Sequence, residues 1–176
     1  MATLLAYAMW TMATYHHGDL RASVLSAAGE LIEKDGLAGL SVREAARRAG
    51  VSHNAPYRHF PDRESLLAAL AVEGFDRLAK ALEGRAGRSL GEAYLRFALA
   101  HPQRFRLMFG VAKAGEMHER FAQAFAATGA DARLAGAAAW SLVHGLACLA
   151  LDRQLPDDEE FLGKVIGAMR FAASRG

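Results

Sequence analysis

From residue 20 onward the apolar positions recur every three or four residues. No stretch alternates apolar and polar positions with β-branched residues, so the pattern predicts an all-α chain. Leu20, Val24, Leu25, Ala28, Leu31 and Ile32 make one stripe on a helix over 19–34, which Asp35-Gly36 closes. Ser41-Val42-Arg43-Glu44 reads as a capping box that opens a short helix ending at Ala49-Gly50. A tight turn at Gly50-Val51-Ser52 leads into a third helix, capped by Ser52, that reaches Phe60 with Pro56 near the end of its first turn. Pro61-Asp62 stops it, and Asp62 caps a fourth helix over 63–83. After a break over 84–88, a second box, Ser89-Leu90-Gly91-Glu92, opens a helix to Ala100, and His101-Pro102 divides it from a short helix through Phe109. Further helices are predicted over 116–127 and 131–152. A final one carries Phe161, Leu162, Val165, Ile166, Met169 and Phe171.

Two short helices joined by a Gly-containing turn and flanked by longer ones have helix-turn-helix organisation. Ala45, Ala46 and Ala49 supply the small side chains needed where the pair cross, and Val51 plugs the turn. In such a unit the start of the second helix meets base edges in a major groove. His53, Asn54 and Ala55 stand there, just after Ser52. Asparagine can pair bidentately with adenine, and alanine can touch a thymine methyl. Ser41, Arg43, Tyr57, His59 and Arg63 are placed around that core to grip phosphate. The net charge of +2 is uninformative by itself, but its distribution is not. Between Ser41 and Arg63, five arginines stand against two carboxylates, while Asp152 to Glu160 holds five carboxylates and one arginine.

The run from Leu40 to Ser52, followed by Pro56-Tyr57-Arg58-His59-Phe60 and Arg63-Glu64-Ser65-Leu66-Leu67, resembles the DNA-binding domain of the TetR/AcrR family. Tyr15-His16-His17-Gly18-Asp19-Leu20-Arg21 resembles a common entry to that domain, so the likeness covers about residues 15–78. Tyr57 and His59 match positions that contact phosphate in the family, and Arg63 stands where a phosphate-contacting lysine is usual. The positions of His53, Asn54 and Ala55 vary with operator. Phe97-Ala98-Leu99-Ala100-His101-Pro102, Phe105-Arg106-Leu107-Met108-Phe109 and Trp140-Ser141-Leu142-Val143-His144-Gly145 resemble the Trp-His-Gly subgroup of the family's C-terminal domains. The resemblance implies an extension over 1–14, expected to be disordered, and a helix-turn-helix domain over 15–62. A connecting helix over 63–83 then leads to a ligand-binding and dimerisation domain over 84–176. It implies a cytoplasmic homodimer that binds double-stranded operator DNA, acts as a repressor and is released by a small apolar effector, with the fourth helix coupling the two sites. The alternative is a DNA-binding regulator whose second domain only dimerises or binds a protein partner.

Phe97, Phe105, Met108, Phe109, Phe121, Trp140 and His144 are the candidate effector-contacting residues, drawn from an aromatic and Met-rich set that also contains Tyr94, Met117 and Phe125. Ordinary core packing is the competing role for each. Residues 134–151 are apolar apart from Ser141 and His144, but their Ala and Gly content suits close helix packing rather than a membrane. With the last helix they would form a four-helix dimer interface. No nucleophile–base set or phosphate loop argues for an enzyme, and no cofactor or metal is expected. His16 and His17 are adjacent and cannot share a helix face. The single cysteine, Cys148, is expected to be a buried thiol in a reducing compartment. Residues 1–13 are apolar but carry no Lys or Arg, unlike a secretory leader.

Overall fold

A computed structural model describes residues 20–111 and 132–168. The chain forms α1 (Leu20–Asp35), a 3₁₀ turn (Leu37–Gly39), α2 (Val42–Arg48), a second 3₁₀ turn (Ala55–Arg58), α3 (Arg63–Leu82), α4 (Gly87–Ala100), α5 (Pro102–Val111), α6 (Ala132–Leu151) and α7 (Glu159–Ala168). There is no strand among the described residues, and none of the helices is long and apolar enough to cross a membrane. The extension over 1–14, the helix expected over 116–127 with Met117, Phe121 and Phe125, and Met169 and Phe171 lie outside the described residues.

Two apolar cores share α3. Its first half sends Leu66, Leu67 and Leu70 into a cluster with Val24, Ile32, Val42, Ala45 and Phe60. Its second half sends Phe75, Leu78 and Leu82 into another, with Leu90, Tyr94, Phe105, Val143, Leu146 and Ile166. Each fully buried leucine contributes roughly 1.5–3 kcal/mol of transfer free energy, so both cores are substantial. A single helix therefore belongs to both units. A second helix bridges them too, because Leu107 of α5 lies in the first cluster while Phe105 and Met108 lie in the other.

The caps explain the boundaries, and three of them differ from the sequence expectation. Ser41 does cap α2, its hydroxyl accepting from the Glu44 N–H at 3.1 Å. The Glu44 carboxylate, however, turns to Arg47 instead of reaching back. The α4 helix starts before Ser89, and Ser89 sits inside the first turn, donating to the Ala86 carbonyl at 2.9 Å. Glu92 is taken by Arg88 at 2.6 Å. The third helix expected from Ser52 to Phe60 is only a four-residue 3₁₀ turn with no side-chain cap, so Ser52 does not have the capping role assigned to it. Proline is the cause. Pro56 has no N–H to return to the Ser52 carbonyl, and it disfavours helical geometry at Ala55. The segment settles for shorter bonds, Ala55 N–H to Ser52 O at 3.0 Å and His59 N–H to Pro56 O at 2.8 Å.

Candidate nucleic-acid interface and effector cavity

The turn that presents residues 52–59 is set by the end of α2. Gly50 takes φ +69°, while the Val51 N–H reaches the Ala46 carbonyl at 3.0 Å and the Gly50 N–H reaches Arg47 at 3.2 Å. This is a Schellman cap, which needs a residue tolerant of left-handed backbone. Val51 packs against the first core. Pro56 and Phe60 are buried and anchor the segment from below, with the Arg21 guanidinium 5.6 Å from the Phe60 ring centre.

What the anchors leave outward is the expected set. Ser52, His53, Asn54, Tyr57, Arg58 and His59 are exposed, as are Ser41 and Arg43 across the turn, and Ala55 is half-buried against the core. Tyr57 keeps 44% of its surface in solvent, so its ring and hydroxyl are both available on this face. The cations divide into two groups. Arg47 is held by Glu44 at 2.6 Å and Arg48 by Glu30 at 3.1 Å, whereas Arg43 and Arg58 pair with no described carboxylate. Arg58 is thus an outward cation that the sequence reading counted as charge but did not place in the site. Arg63 is half-buried and spends its Nε and Nη2 on the Leu40 and Leu37 carbonyls, at 3.0 and 2.6 Å. It holds the loop that delivers Ser41 instead of projecting freely.

In the second core, α4, α5 and α6 bring Tyr94, Phe105, Phe109, Trp140, His144 and Cys148 together. Tyr94 Oη lies 2.8 Å from His144 Nδ1 and accepts from the Trp140 Nε1–H at 3.3 Å, while Cys148 Sγ lies 3.6 Å from His144 Nε2. The His144 ring meets Phe109 edge-on at 4.5 Å and tilts against Phe105 at 5.4 Å. Burial pushes the Tyr94 phenol up and the His144 imidazole down from their ordinary values. Burial and, to a smaller extent, the Asp152 carboxylate raise the Cys148 thiol. All three groups are therefore neutral near pH 7.

A cavity of about 210 Å³ opens beside this cluster, lined by Phe105, Arg106, Phe109, His144, Cys148, Leu151 and Asp152. An apolar cavity of about 150 Å³ suffices for benzene. Of the candidate effector residues, Phe105, Phe109 and His144 line it, and Trp140 stands behind His144 at 5.7 Å. Two do not reach it. Met108 is fully buried against the Gly74 backbone of α3, and Phe97 is buried against His101. Phe121 lies outside the described residues. Sequence reasoning missed Cys148 and the Arg106–Asp152 pair as lining groups, although the i,i+4 spacing of His144 and Cys148 was legible. A groove of about 410 Å³ between α4 and α7 is larger, but its rim is six charged side chains of both signs with no aromatic among them. Among the described residues no cluster could hold a metal ion.

An exposed helix-turn-helix surface beside a helical domain with an enclosed aromatic cluster defines a two-domain regulator. Residues 24–70 match the model of the tetR family of bacterial regulatory proteins, and residues 88–169 match the tetracyclin repressor-like C-terminal domain. The chain belongs to the TetR family of transcriptional regulators, whose members are DNA-binding regulators and not enzymes. It is 36% identical over 84 residues to the HTH-type transcriptional repressor AcnR of Corynebacterium diphtheriae, a match spanning 48% of this chain and 42% of that protein. A solved structure of a Rhodococcus sp. RHA1 protein of unknown function is 35% identical, with a TM-score of 0.71 over 89% of this chain and 96% of that one. The multidrug binding protein EbrR complexed with ethidium, at 20% identity, shares the fold, with a TM-score of 0.65 over 87% of this chain and 99% of that one.

Proposed function

We propose that this chain is a cytoplasmic repressor whose homodimer binds a pseudo-palindromic operator and leaves it when a small, uncharged, apolar effector enters the second domain. The observation that carries the DNA half is the segregation around Pro56 and Phe60. These apolar anchors point inward, while Asn54, Tyr57, Arg58 and His59 remain in solvent with Ser41 and Arg43 alongside. His53, Asn54 and Ala55 read bases, and Ser41, Arg43, Tyr57, Arg58 and His59 contact phosphate, with Arg63 shaping the loop that carries Ser41. Residues up to 62 form the DNA-binding domain, α3 connects, and the remainder binds effector and dimerises.

The effector half rests on the neutral aromatic cluster. Phe105, Phe109 and His144 form an apolar wall with one polar ring, the composition expected where a small organic molecule is recognised. The described cavity is below the roughly 300 Å³ at which drug-sized pockets begin, so the reading favours a molecule built on a single ring. Dimerisation rests on α6, where Leu134, Leu142 and Leu149 are exposed at 75%, 48% and 41% along one helix. Together with α7 this stripe forms the subunit interface. Selection of bound duplexes from a random pool, followed by fluorescence anisotropy across a salt series, tests the DNA reading. The expected result is a two-fold-symmetric motif bound with a steep salt dependence. Absence of salt-sensitive binding to any duplex would overturn it.

A further inference from the structure

Arg104 is the one charged side chain buried in the described residues, 3% exposed, and it sits at the joint between the two cores. Its Nη1 donates to Glu73 of α3 at 2.7 Å, while its Nε is buried with no hydrogen-bond partner. Its Nη2 rests so close over Gly29 of α1 that a Cβ there would come within 1.9 Å. The N-terminus of α5 is tied to the same unit, because the Glu33 carboxylate of α1 accepts the Gln103 and Arg104 N–H groups at 3.1 and 2.9 Å. About 100° and 140° round this helix from Arg104, Phe105 and Phe109 face the cavity. One short rod thus has cavity wall on one face and, on another, a charged plug set into the DNA-binding unit.

We propose that Arg104 is the positioning residue that makes operator binding respond to what fills the aromatic cavity. The proposal rests on the reading of the chain as an effector-controlled repressor. Apolar contacts such as that of Leu107 are non-directional and fix no single partner atom for α5 in the first core. A buried guanidinium does. Moving it away from Glu73 strands the guanidinium in a dry environment, and the packed Gly29 backbone leaves it no room to turn. A push on Phe105 and Phe109 is therefore passed through Arg104 to α1 and α3, the helices that frame the exposed turn. Glu73 also holds Arg77 at 2.7 Å, which fixes the socket on α3.

Because Cys148 is the sole cysteine and lines the cavity, benzyl methanethiosulfonate can place one phenyl ring there in the full-length protein. The selected operator duplex is then titrated against labelled and unlabelled protein. In the wild type the label is expected to weaken operator affinity about tenfold, within the usual range of allosteric coupling. Arg104→Lys, Glu73→Gln and Gly29→Ala should bind the duplex within about threefold of wild type when unlabelled, and respond to the label less than threefold. Gly29→Ala is the decisive variant. It removes no charge, but the new Cβ displaces the guanidinium, so its thermal midpoint should fall and the labelled-to-unlabelled ratio is the readout that decides. A merely structural Arg104 would also lower the midpoint but leave that ratio intact. An undiminished ratio in Gly29→Ala, or wild-type affinity indifferent to the label, overturns the proposal. Failure of unlabelled wild type to bind any duplex instead overturns the functional reading beneath it.

Discussion

Arg43 and Arg58 stand exposed on the turn face without a described carboxylate, whereas Arg47 and Arg48 are each held by a glutamate. Counterion release makes that difference measurable. Each phosphate contact contributes about 0.9 to the slope of log affinity against log salt. We predict that Arg43→Ala and Arg58→Ala each flatten the slope by about that amount, and that Arg48→Ala leaves it nearly unchanged. Arg63→Ala should act differently. It releases two half-buried carbonyls, with an expected loss of roughly 1–3 kcal/mol, seen as a thermal midpoint lower by several degrees. His144 adds a pH signature. Burial lowers its folded pKa below the ordinary 6.5, so the unfolded chain takes up protons first as pH falls. Its contribution is whole above pH 6.5 and is lost from there downward until the folded value is reached. Urea midpoints of His144→Gln should decline less than wild type over that acid window, and an identical decline would remove His144 as the cause.

At the scale of elements, α2 and the tight turn after it followed directly from Ser41, Gly50 and the alanine spacing, because those signals are local. Gly50 offers a clean measurement, since a Cβ at that position meets nothing within 4 Å. Its replacement by alanine therefore costs only the left-handed backbone, about 1 kcal/mol, with Gly50→Asn costing less. A calorimetric loss well beyond that would mean the turn is strained elsewhere. The turn over 55–58 was less legible. Its pattern looked helical, and only the missing N–H of Pro56 decides for 3₁₀ geometry. Ser89 shows a related ambiguity: a serine three residues before a glutamate can cap a helix or sit within its first turn, and here Ala86 holds the cap position. The exposed face over 52–59 was readable because the tight turn and the Pro56 and Phe60 anchors belong to a family motif. The cavity was readable only in part, since whether Phe97 or Met108 faces a ligand or the core depends on how α3 and α4 approach. The Arg104 plug was invisible, for it needs Gly29 and Glu73, 75 and 31 residues away in the chain, to meet around it.

On the proposed reading two turns meet one duplex, and a single chain presents only one. Half-sites in successive major grooves lie roughly 34 Å apart, or multiples of that, so the second turn has to come from a partner held at fixed spacing. Leu134, Leu142 and Leu149, exposed on a helix whose opposite face is core, are the surface available for that partner. Ala138 and Gly145 lie between them on the same side, and the space over Gly145 is empty, so two such helices can approach closely. In a two-fold interface each substitution acts twice. Leu142→Glu would bury two unpaired carboxylates near the axis, and an uncompensated buried charge costs about 3–5 kcal/mol. Dimer dissociation should accordingly rise more than ~100-fold by sedimentation equilibrium, since ~1.4 kcal/mol is a factor of ten. The core is untouched, so the monomer should keep its helical circular dichroism while losing most of its operator affinity at a fixed chain concentration. Leu142→Glu protein that stays dimeric and binds operator normally would move the subunit interface off α6, and with it the spacing of the two turns.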